Sequence, residues 1–369
     1  MKKIVVIHFL PLEYYPPVTN MINYLGNQLN ESFYVFSVYN SKNRKTFSNT
    51  QAVIKRNRIN YKSRLLRLMA YIYFQVNVLF YLLKIKPKNI LYYESLSSYP
   101  VYLYKRYFNK SVRIFVHYHE YTSPEQYKNE SMSIERYFHK KEQQFIYDKA
   151  VWISQTNKDR LNFFKKDNVN VDSKILKVMP NYPPKIWQNA VNKKKEKRLP
   201  VKCVYIGSLS LTTTYLKEFT DWLKTKNGEI TLVIYSYNIH NDARKHLQQQ
   251  AIPYLRFFDQ GIEYEKMPAV LSRYDVGLIL YNGSSMNFIY NAPNKLFEYL
   301  SCGLDVWFPE VMKGIRPYIR DHRRPYILPL NFNRLSTFNF KTYAPNSQAE
   351  TSTDNFFCEE IYKDFLEQI

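Results

Sequence analysis

Ala292-Pro293-Asn294-Lys295-Leu296-Phe297-Glu298-Tyr299-Leu300-Ser301-Cys302-Gly303-Leu304-Asp305-Val306 is the stretch on which the reading of this 369-residue chain turns. Proline in the first turn and glycine just past the last periodic residue predict a helix over Pro293–Cys302, with a strand over Asp305–Phe308 behind it. Leu296, Phe297 and Leu300 supply its apolar face. Lys295 and Glu298 stand three apart, on one side of the helix near its N-terminus. A helix N-terminus with a lysine beside it attracts phosphate, and a carboxylate one turn further in can accept both hydroxyls of a ribose. The plain alternative is an exposed Lys/Glu pair that only solvates the helix.

Outward from that helix the pattern alternates strands with helices. Strands are predicted over Val201–Ile206, Thr231–Tyr235, Leu255–Phe258 and Val276–Tyr281, with helices over Tyr215–Lys224, Ala243–Gln250 and Met267–Tyr274. Before them lies the polar, basic run Asn189–Arg198, which has no apolar face and ends at Pro200; it reads as a linker. The first half repeats the alternation: strands over Lys3–Phe9, Phe33–Tyr39, Asn89–Tyr93, Ser111–His117, Val151–Ser154 and Lys174–Met179, helices over Val18–Leu29, Arg64–Lys84 and Ile134–Ala150. Such alternation predicts parallel sheets of doubly wound type. The expected organisation is an N-terminal lobe over 1–188, a linker over 189–200, a second lobe over 201–335, and a polar segment and terminal helix over 336–369 that could pack back on the first lobe. The fold class is α/β, two Rossmann-like doubly wound lobes facing a cleft at the carboxyl ends of their strands.

Composition bounds the function. With 45% hydrophobic and 23% charged residues the chain is globular. The three cysteines, Cys203, Cys302 and Cys358, are odd in number and far apart, so neither a disulfide framework nor a zinc site is indicated, and a reduced cytoplasmic compartment follows. The apolar run Ile4–Ile7 is too short for a signal peptide. The net charge of +22 is uneven: residues 1–190 hold 30 Lys/Arg against 12 Asp/Glu, and residues 191–369 hold 23 against 19. A polyanionic partner for the first half is implied, nucleic acid or anionic lipid. No RRM, KH or helix-turn-helix signature supports nucleic acid. D-x-D, G-x-x-x-x-G-K-[ST] and G-x-S-x-G motifs are all missing from the sequence, against metal-dependent transfer, P-loop and hydrolase chemistry.

The segment from Pro293 to Val306 resembles the donor-nucleotide motif of GT-B-fold retaining glycosyltransferases of the family 4 type, roughly P-x-K-x-x-E-[YA]-x-[AS]-x-G-x-P-V. The resemblance implies that Glu298 binds the nucleotide ribose and that Lys295 serves the phosphates. A second Glu, eight residues earlier in many members, is Tyr290 here; either Asn291 or Asn287 then holds the sugar, or the donor is not a common hexose. Val204-Tyr205-Ile206-Gly207-Ser208-Leu209 is similar to the strand-to-turn segment facing the pyrophosphate. Ser208 replaces its usual Arg, and Thr212-Thr213-Thr214-Tyr215 its usual Lys-Gly. Gly207, Ser208 and Thr213 are therefore expected at the diphosphate through backbone N–H groups and hydroxyls, unless the threonines form only a loop and helix cap. Gly261 and Ile262, in Phe257–Ile262, resemble the segment whose backbone meets the base. Arg273–Leu278 resembles a strand entry and Lys177–Tyr182 the turn into the second lobe.

In the first lobe the loop Phe9–Asn20 follows strand one and lacks the family's usual Gly-Gly. By resemblance it lies over the transferring sugar and the acceptor, which marks Glu13, Tyr14 and Tyr15 as acceptor-side. His119 and Glu120, at the end of a buried strand, are the expected catalytic residues, with half-exposed imidazoles packing among tyrosines as the plain alternative. No metal site is expected and no cofactor, the nucleoside diphosphate sugar being the donor substrate. Arg64–Lys84 is nearly apolar all round and of marginal length for a membrane span. Its first reading is a buried core helix; its second is an interfacial helix whose basic start meets lipid phosphates. The resulting expectation is a metal-independent, retaining transferase that moves a sugar to a glycan or lipid-linked acceptor in surface polysaccharide synthesis, at the inner face of the plasma membrane. A GT-B-type sugar-nucleotide epimerase, a basic nucleic-acid-binding protein and a non-catalytic relative are the alternatives.

Overall fold

The computed structural model describes residues 4–39, 46–190, 199–320, 323–341, 350–351 and 356–369. The expected linker over 189–200 and the polar segment after 336 therefore fall largely outside the described residues. The chain forms two compact units, one of Met1–Pro180 with Cys358–Ile369 and one of Asn181–Phe357. The first boundary thus falls ahead of the expected 188.

The first unit runs β1 (Ile4–His8), α1 (Pro16–Gln28), β2 (Phe33–Tyr39), β3 (Ala52–Arg58), α2 (Arg64–Ile85), β4 (Asn89–Tyr93), α3 (Tyr99–Leu103), β5 (Arg113–Tyr118), α4 (Pro124–Tyr127), α5 (Ser133–Lys141), α6 (Tyr147–Lys149), β6 (Ala150–Gln155), α7 (Lys158–Asp167) and β7 (Leu176–Val178). Its seven strands form one parallel sheet in the order β3-β2-β1-β4-β5-β6-β7, so the order reverses between β1 and β4. Val5, Ile7, Ile90, Ile114, Val116 and Ile153 are fully buried, as near-continuous apolar strands covered on both faces must be. β3 escapes sequence reading because it is an edge strand: Lys55, Arg56 and Arg58 break its apolar pattern, and only its register with β2, Phe33 opposite Ala52 through Tyr39 opposite Arg58, defines it.

Helix α2 departs from its first reading. Phe74, Val78 and Leu82 enter the core, but Leu65, Met69, Ile72, Val76 and Phe80 on the opposite side are exposed, so the helix is not a buried core element. Apolar residues all round a helix predict burial; here half of them face outward.

The second unit runs β8 (Val201–Ile206), α8 (Leu216–Lys224), β9 (Ile230–Tyr235), α9 (Asn241–Gln249), β10 (Leu255–Phe258), α10 (Met267–Leu271), β11 (Val276–Leu278), α11 (Met286–Ile289), α12 (Asn294–Ser301), β12 (Asp305–Pro309), β13 (Arg323–Arg324), β14 (Ile327–Leu330) and β15 (Glu350–Thr351). Six strands make a parallel sheet in the order β10-β9-β8-β11-β12-β14, with the reversal between β8 and β11; β13 and β15 pair separately. Pro329 hid β14 from sequence reading, since proline is tolerated in strands only at an edge. The chain then returns as α13 (Cys358–Glu367), which belongs to the first unit: Phe365 meets Phe115 and Trp152 at ring centroid distances of 5.1 and 5.7 Å, and the Tyr362 hydroxyl donates to Pro17 O at 2.9 Å.

At the reversal point of the second sheet, β8 and β11 pair only through Val276–Cys203 and Gly277–Val204. Beyond these the ring of Tyr299, from α12, lies over Gly277; its hydroxyl accepts from Ile206 N at 3.1 Å and lies 3.3 Å from Leu278 O. A Cβ at Gly277 would overlap that ring. Gly277→Ala is therefore expected to destabilise the second unit by about 1–3 kcal/mol through overpacking. Urea unfolding measures this, and an unchanged midpoint would show that the ring can move aside.

Candidate functional site

Ligands of open parallel sheets bind where strand order reverses, at the carboxyl ends of the strands. In the second unit that place is the end of β8 and β11, and α12 begins there. Lys295 and Glu298 are 7% and 6% exposed. The solvated-pair alternative is thereby excluded.

The Lys295 ammonium lies 4.4 Å from the ring centroid of Tyr205 and 4.8 Å from that of Tyr281, and 3.4 Å from the Tyr205 hydroxyl. Burial pushes its pKa down, but the two phenols more than offset this and hold it above the ordinary lysine range. Tyr281 in turn stacks on Phe288 at 4.8 Å. Gly207, at φ +142°, ends β8 directly beside the ammonium: a Cβ there would sit 2.5 Å from Nζ. Only glycine lets the backbone N–H groups after β8 and this cation share one small space. Tyr205 fixes that turn by donating to Ser208 O at 2.7 Å, and the Ser208 side chain is exposed.

Glu298 completes the group. Burial raises its carboxyl to about 7, with Lys295 pulling the other way. No side-chain hydrogen bond holds that carboxyl among the described residues. Its oxygens are not among the buried polar atoms left without a partner, so they keep a narrow access through which a ligand's hydroxyls could reach them.

The threonine run is a tied loop, and it meets the same place. Thr213 O accepts from Asn282 N at 3.1 Å, Thr214 pairs with Tyr281 as an isolated bridge, and the Thr214 hydroxyl donates to Ser210 O at 2.6 Å. The hydroxyls of Thr212 and Thr214 are engaged within the loop. That of Thr213, half-buried, makes no hydrogen bond among the described residues. Gly261 ends the loop after β10 at φ +62° with the Tyr237 ring against it, and half-buried Ile262 follows. Tyr290 and Asn291 lie between α11 and α12, half-buried, with their backbone pressed against Gly314 and Lys313 Nζ 5.6 Å from the Tyr290 ring centroid. The structure thus brings Gly207, Lys295 and Glu298 together, with the threonine loop tied to Tyr281, which itself faces Lys295.

The first unit carries its own cluster at its reversal point. The rings of His8 (end of β1), Tyr93 (end of β4), His117 and His119 (end of β5) and Tyr15 meet, with His119 5.1 Å from Tyr93, 5.4 Å from Tyr15, 5.0 Å from His117 and 5.7 Å from His8. All three imidazoles are buried rather than half-exposed, and they pack among tyrosines as the plain alternative expects. Burial holds His8 and His117 down at about 3 and His119 well below its usual range, so all three are neutral at physiological pH. His8 Nδ1–H donates to Leu10 O at 3.0 Å, and Nε2 of both His8 and His119 is buried without a partner.

Sequence reading paired Glu120 with His119; the structure separates them. Successive residues at the end of β5 take opposite sides. Glu120 is exposed and lines, with Tyr118, Tyr121, Tyr127, Arg136 and His139, a different cavity of about 290 Å³. Next to that cavity the fully buried Glu142 accepts from Ser95 Oγ, Tyr92 OH and Tyr118 OH at 2.6, 2.7 and 2.8 Å. The carboxyl beside His119 is Glu94, which sequence reading missed: its Oε1 accepts from His119 N at 2.6 Å. Burial raises Glu94 to about 8, against that N–H. Its backbone, at φ 61° and ψ 156°, lies in a region otherwise reserved for glycine, and such strain gathers at functional sites. Of the loop residues, Tyr15 joins the imidazoles and Tyr14 is exposed. Glu13 instead anchors the loop, accepting from Phe47 N at 3.1 Å and from Arg56 at 3.2 Å.

No protein-family profile matches the sequence, and no curated protein matches it. Solved structures do match in fold. The lipopolysaccharide outer core galactosyltransferase WaaB is 14% identical over all of both chains at a TM-score of 0.64. Anabaena Alr3699/HepE in complex with UDP is 12% identical over 99% of each chain at 0.67. The UDP-GlcNAc 2-epimerase of Methanocaldococcus jannaschii is 9% identical over all of both chains at 0.61. The fold is the two-lobed GT-B architecture.

The raised Glu298 carboxyl has a measurable consequence. Below pH 4.5 it is neutral folded or unfolded; as pH rises towards 7 only the unfolded chain ionises, so stability is lost, up to about 3 kcal/mol above pH 7. Glu298→Gln should therefore raise the thermal midpoint more at pH 8 than at pH 5. An equal shift at both pH values would place the carboxyl in water.

Proposed function

We propose that this chain is a glycosyltransferase that moves a sugar from a nucleoside diphosphate sugar to a hydroxyl of a glycan or lipid-linked acceptor. One observation carries the reading: a buried ammonium and a largely buried carboxyl that no side chain hydrogen-bonds stand one helical turn apart at the strand reversal of the second unit. That pair offers a cation to a diphosphate and an acceptor of hydrogen bonds to a ribose diol. The donor would lie with its diphosphate on Lys295, the N–H groups after Gly207 and the start of α12, and the Thr213 hydroxyl. Its ribose would meet Glu298 and its base the backbone at Gly261 and Ile262. Tyr290 and Asn291 would set the donor sugar.

The bond that breaks joins the anomeric carbon to the diphosphate oxygen, and the bond that forms joins that carbon to the acceptor oxygen. Charge grows on the leaving diphosphate, where Lys295 and the fixed N–H dipoles stabilise it without a metal. Retention of configuration, with the leaving phosphate taking the acceptor proton, belongs to the same reading. His119, neutral and with Nε2 open, would hold a hydroxyl of the transferring sugar, and Glu94 would position its backbone. The acceptor would be drawn by Tyr15 and the tyrosine-lined cavity at Glu120. The role proposed is in surface polysaccharide synthesis on the cytoplasmic side of an anionic membrane, consistent with three buried free cysteines and the basic first half. A second reading, nucleotide-sugar epimerisation, is favoured by Glu94, whose carboxyl at about 8 could exchange a proton with a bound sugar at neutral pH.

Calorimetric titration with a panel of nucleoside diphosphates and their sugars tests the proposal. Lys295→Ala and Glu298→Ala should each weaken binding by about 10- to 100-fold, the worth of one or two charge-assisted hydrogen bonds. His119→Ala should bind nucleotide normally and lose transfer. Binding of no member of the panel would sink the reading. Conversion of the bound nucleotide sugar with no acceptor present would favour the epimerase.

A further inference from the structure

The outer side of α2 is apolar along its length. Leu65, Met69, Ile72, Val76, Phe80 and Leu83 recur at spacings of three or four and are between 36% and 65% exposed. At 1.5 Å per residue they form a stripe about 27 Å long. Alongside it an apolar groove of about 390 Å³ opens between α2, α3 and α5, lined by Leu68, Tyr71, Ile72, Val76, Tyr99 and Phe138. Contiguous apolar surface of this extent marks a place where something binds.

The charge around the stripe says what. Residues 51–113 hold thirteen Lys/Arg and one acidic residue. That residue, Glu94, is turned onto the His119 N–H. Exposed Lys62 and Arg67 stand at the start of the stripe, and exposed Lys84, Lys86 and Lys88 at its end. A second copy of this chain would set thirteen cations against thirteen. A surface apolar within and anionic at its rim is complementary instead. The helix is long and apolar enough to cross a membrane, but Phe74, Val78 and Leu82 hold its other side in the core. It can only lie flat.

We propose that α2 is an in-plane docking helix for an anionic lipid bilayer: its stripe enters the acyl region, the groove beside it receives the end of a lipid chain, and the flanking lysines and arginines meet lipid phosphates. This rests on the membrane part of the function proposed above and names the surface responsible. It does not depend on transfer chemistry.

The test uses the full chain with vesicles of phosphatidylcholine alone or mixed with phosphatidylglycerol, followed by flotation at low and high salt. The wild type should bind the mixed vesicles and keep part of that binding at high salt. The exposed-face variant Ile72→Ser/Val76→Ser/Phe80→Ser should partition about tenfold or more weakly, while its thermal midpoint and nucleoside diphosphate binding stay as in the wild type. Separately, the fluorescence of Phe80→Trp should shift to the blue on mixed vesicles and be quenched by brominated acyl chains. If salt abolishes all binding, the triple variant binds like the wild type and the new tryptophan stays unquenched, α2 is not the docking element and surface charge alone holds the protein to the membrane. If no vesicles are bound and sedimentation shows a dimer that the triple variant loses, the stripe is a subunit interface and the lipid proposal is overturned. Failure to bind nucleotide with vesicle binding intact would count against the transferase and not against α2.

Discussion

An ammonium buried among phenols is the constraint from which the second unit's strand ends follow. A lone charge taken out of water costs several kcal/mol, and the faces of Tyr205 and Tyr281 return about 1–2 kcal/mol each. Together with the Tyr205 hydroxyl they more than offset that cost, which keeps the lysine charged where it is buried. Keeping Nζ in that space requires glycine at 207, a turn fixed by the Tyr205 hydroxyl, and a threonine loop tied back to Tyr281. Beyond the paired residues of β8 and β11, the Tyr299 hydroxyl bridges the strand ends between Ile206 N and Leu278 O. Two of the chain's scarce glycines, Gly207 and Gly277, stand where backbone comes close to a side chain of α12, Lys295 and Tyr299.

The first unit solves a different problem with the opposite electrostatics. Its three clustered imidazoles are kept neutral by burial, while Glu94 is kept on the protonated side of its usual range. The one cation against the cluster among the described contacts is Arg160, whose guanidinium donates to His119 O at 2.7 Å. Open lone pairs on His8 and His119 and stacked rings suit hydroxyl-rich, uncharged groups.

How much of this was legible in the sequence depends on whether the signal was local. The helix at Pro293–Cys302 announced itself by its Pro and Gly, and Lys295 and Glu298 by their spacing. Apolar strands such as Ile4–His8 and Asn89–Tyr93 were plain because both their faces are covered. Lys295's own cage was not legible: Tyr281 reaches it only through the loop after β11, although Tyr205, two residues before Gly207 on the same side of its strand, could have been suspected. Glu94 was hidden because its importance lies in a backbone angle and a partner on the next strand, yet it is the first residue after a buried parallel strand, where reactive groups gather. Glu120 misled because adjacent residues of an extended chain point apart. Composition could not place α2, since an apolar helix reads alike whether its outer half meets protein or something else.

The return of α13 to the first unit also affects how the molecule comes into being. Phe115 and Trp152 await Phe365, and the carbonyl of Pro17 awaits Tyr362, across more than half of the polypeptide. The amino-terminal sheet can form during synthesis but stays unsealed on that side until the entire second unit has emerged from the ribosome. The two units therefore mature in an interleaved order, the first to begin being the last to close.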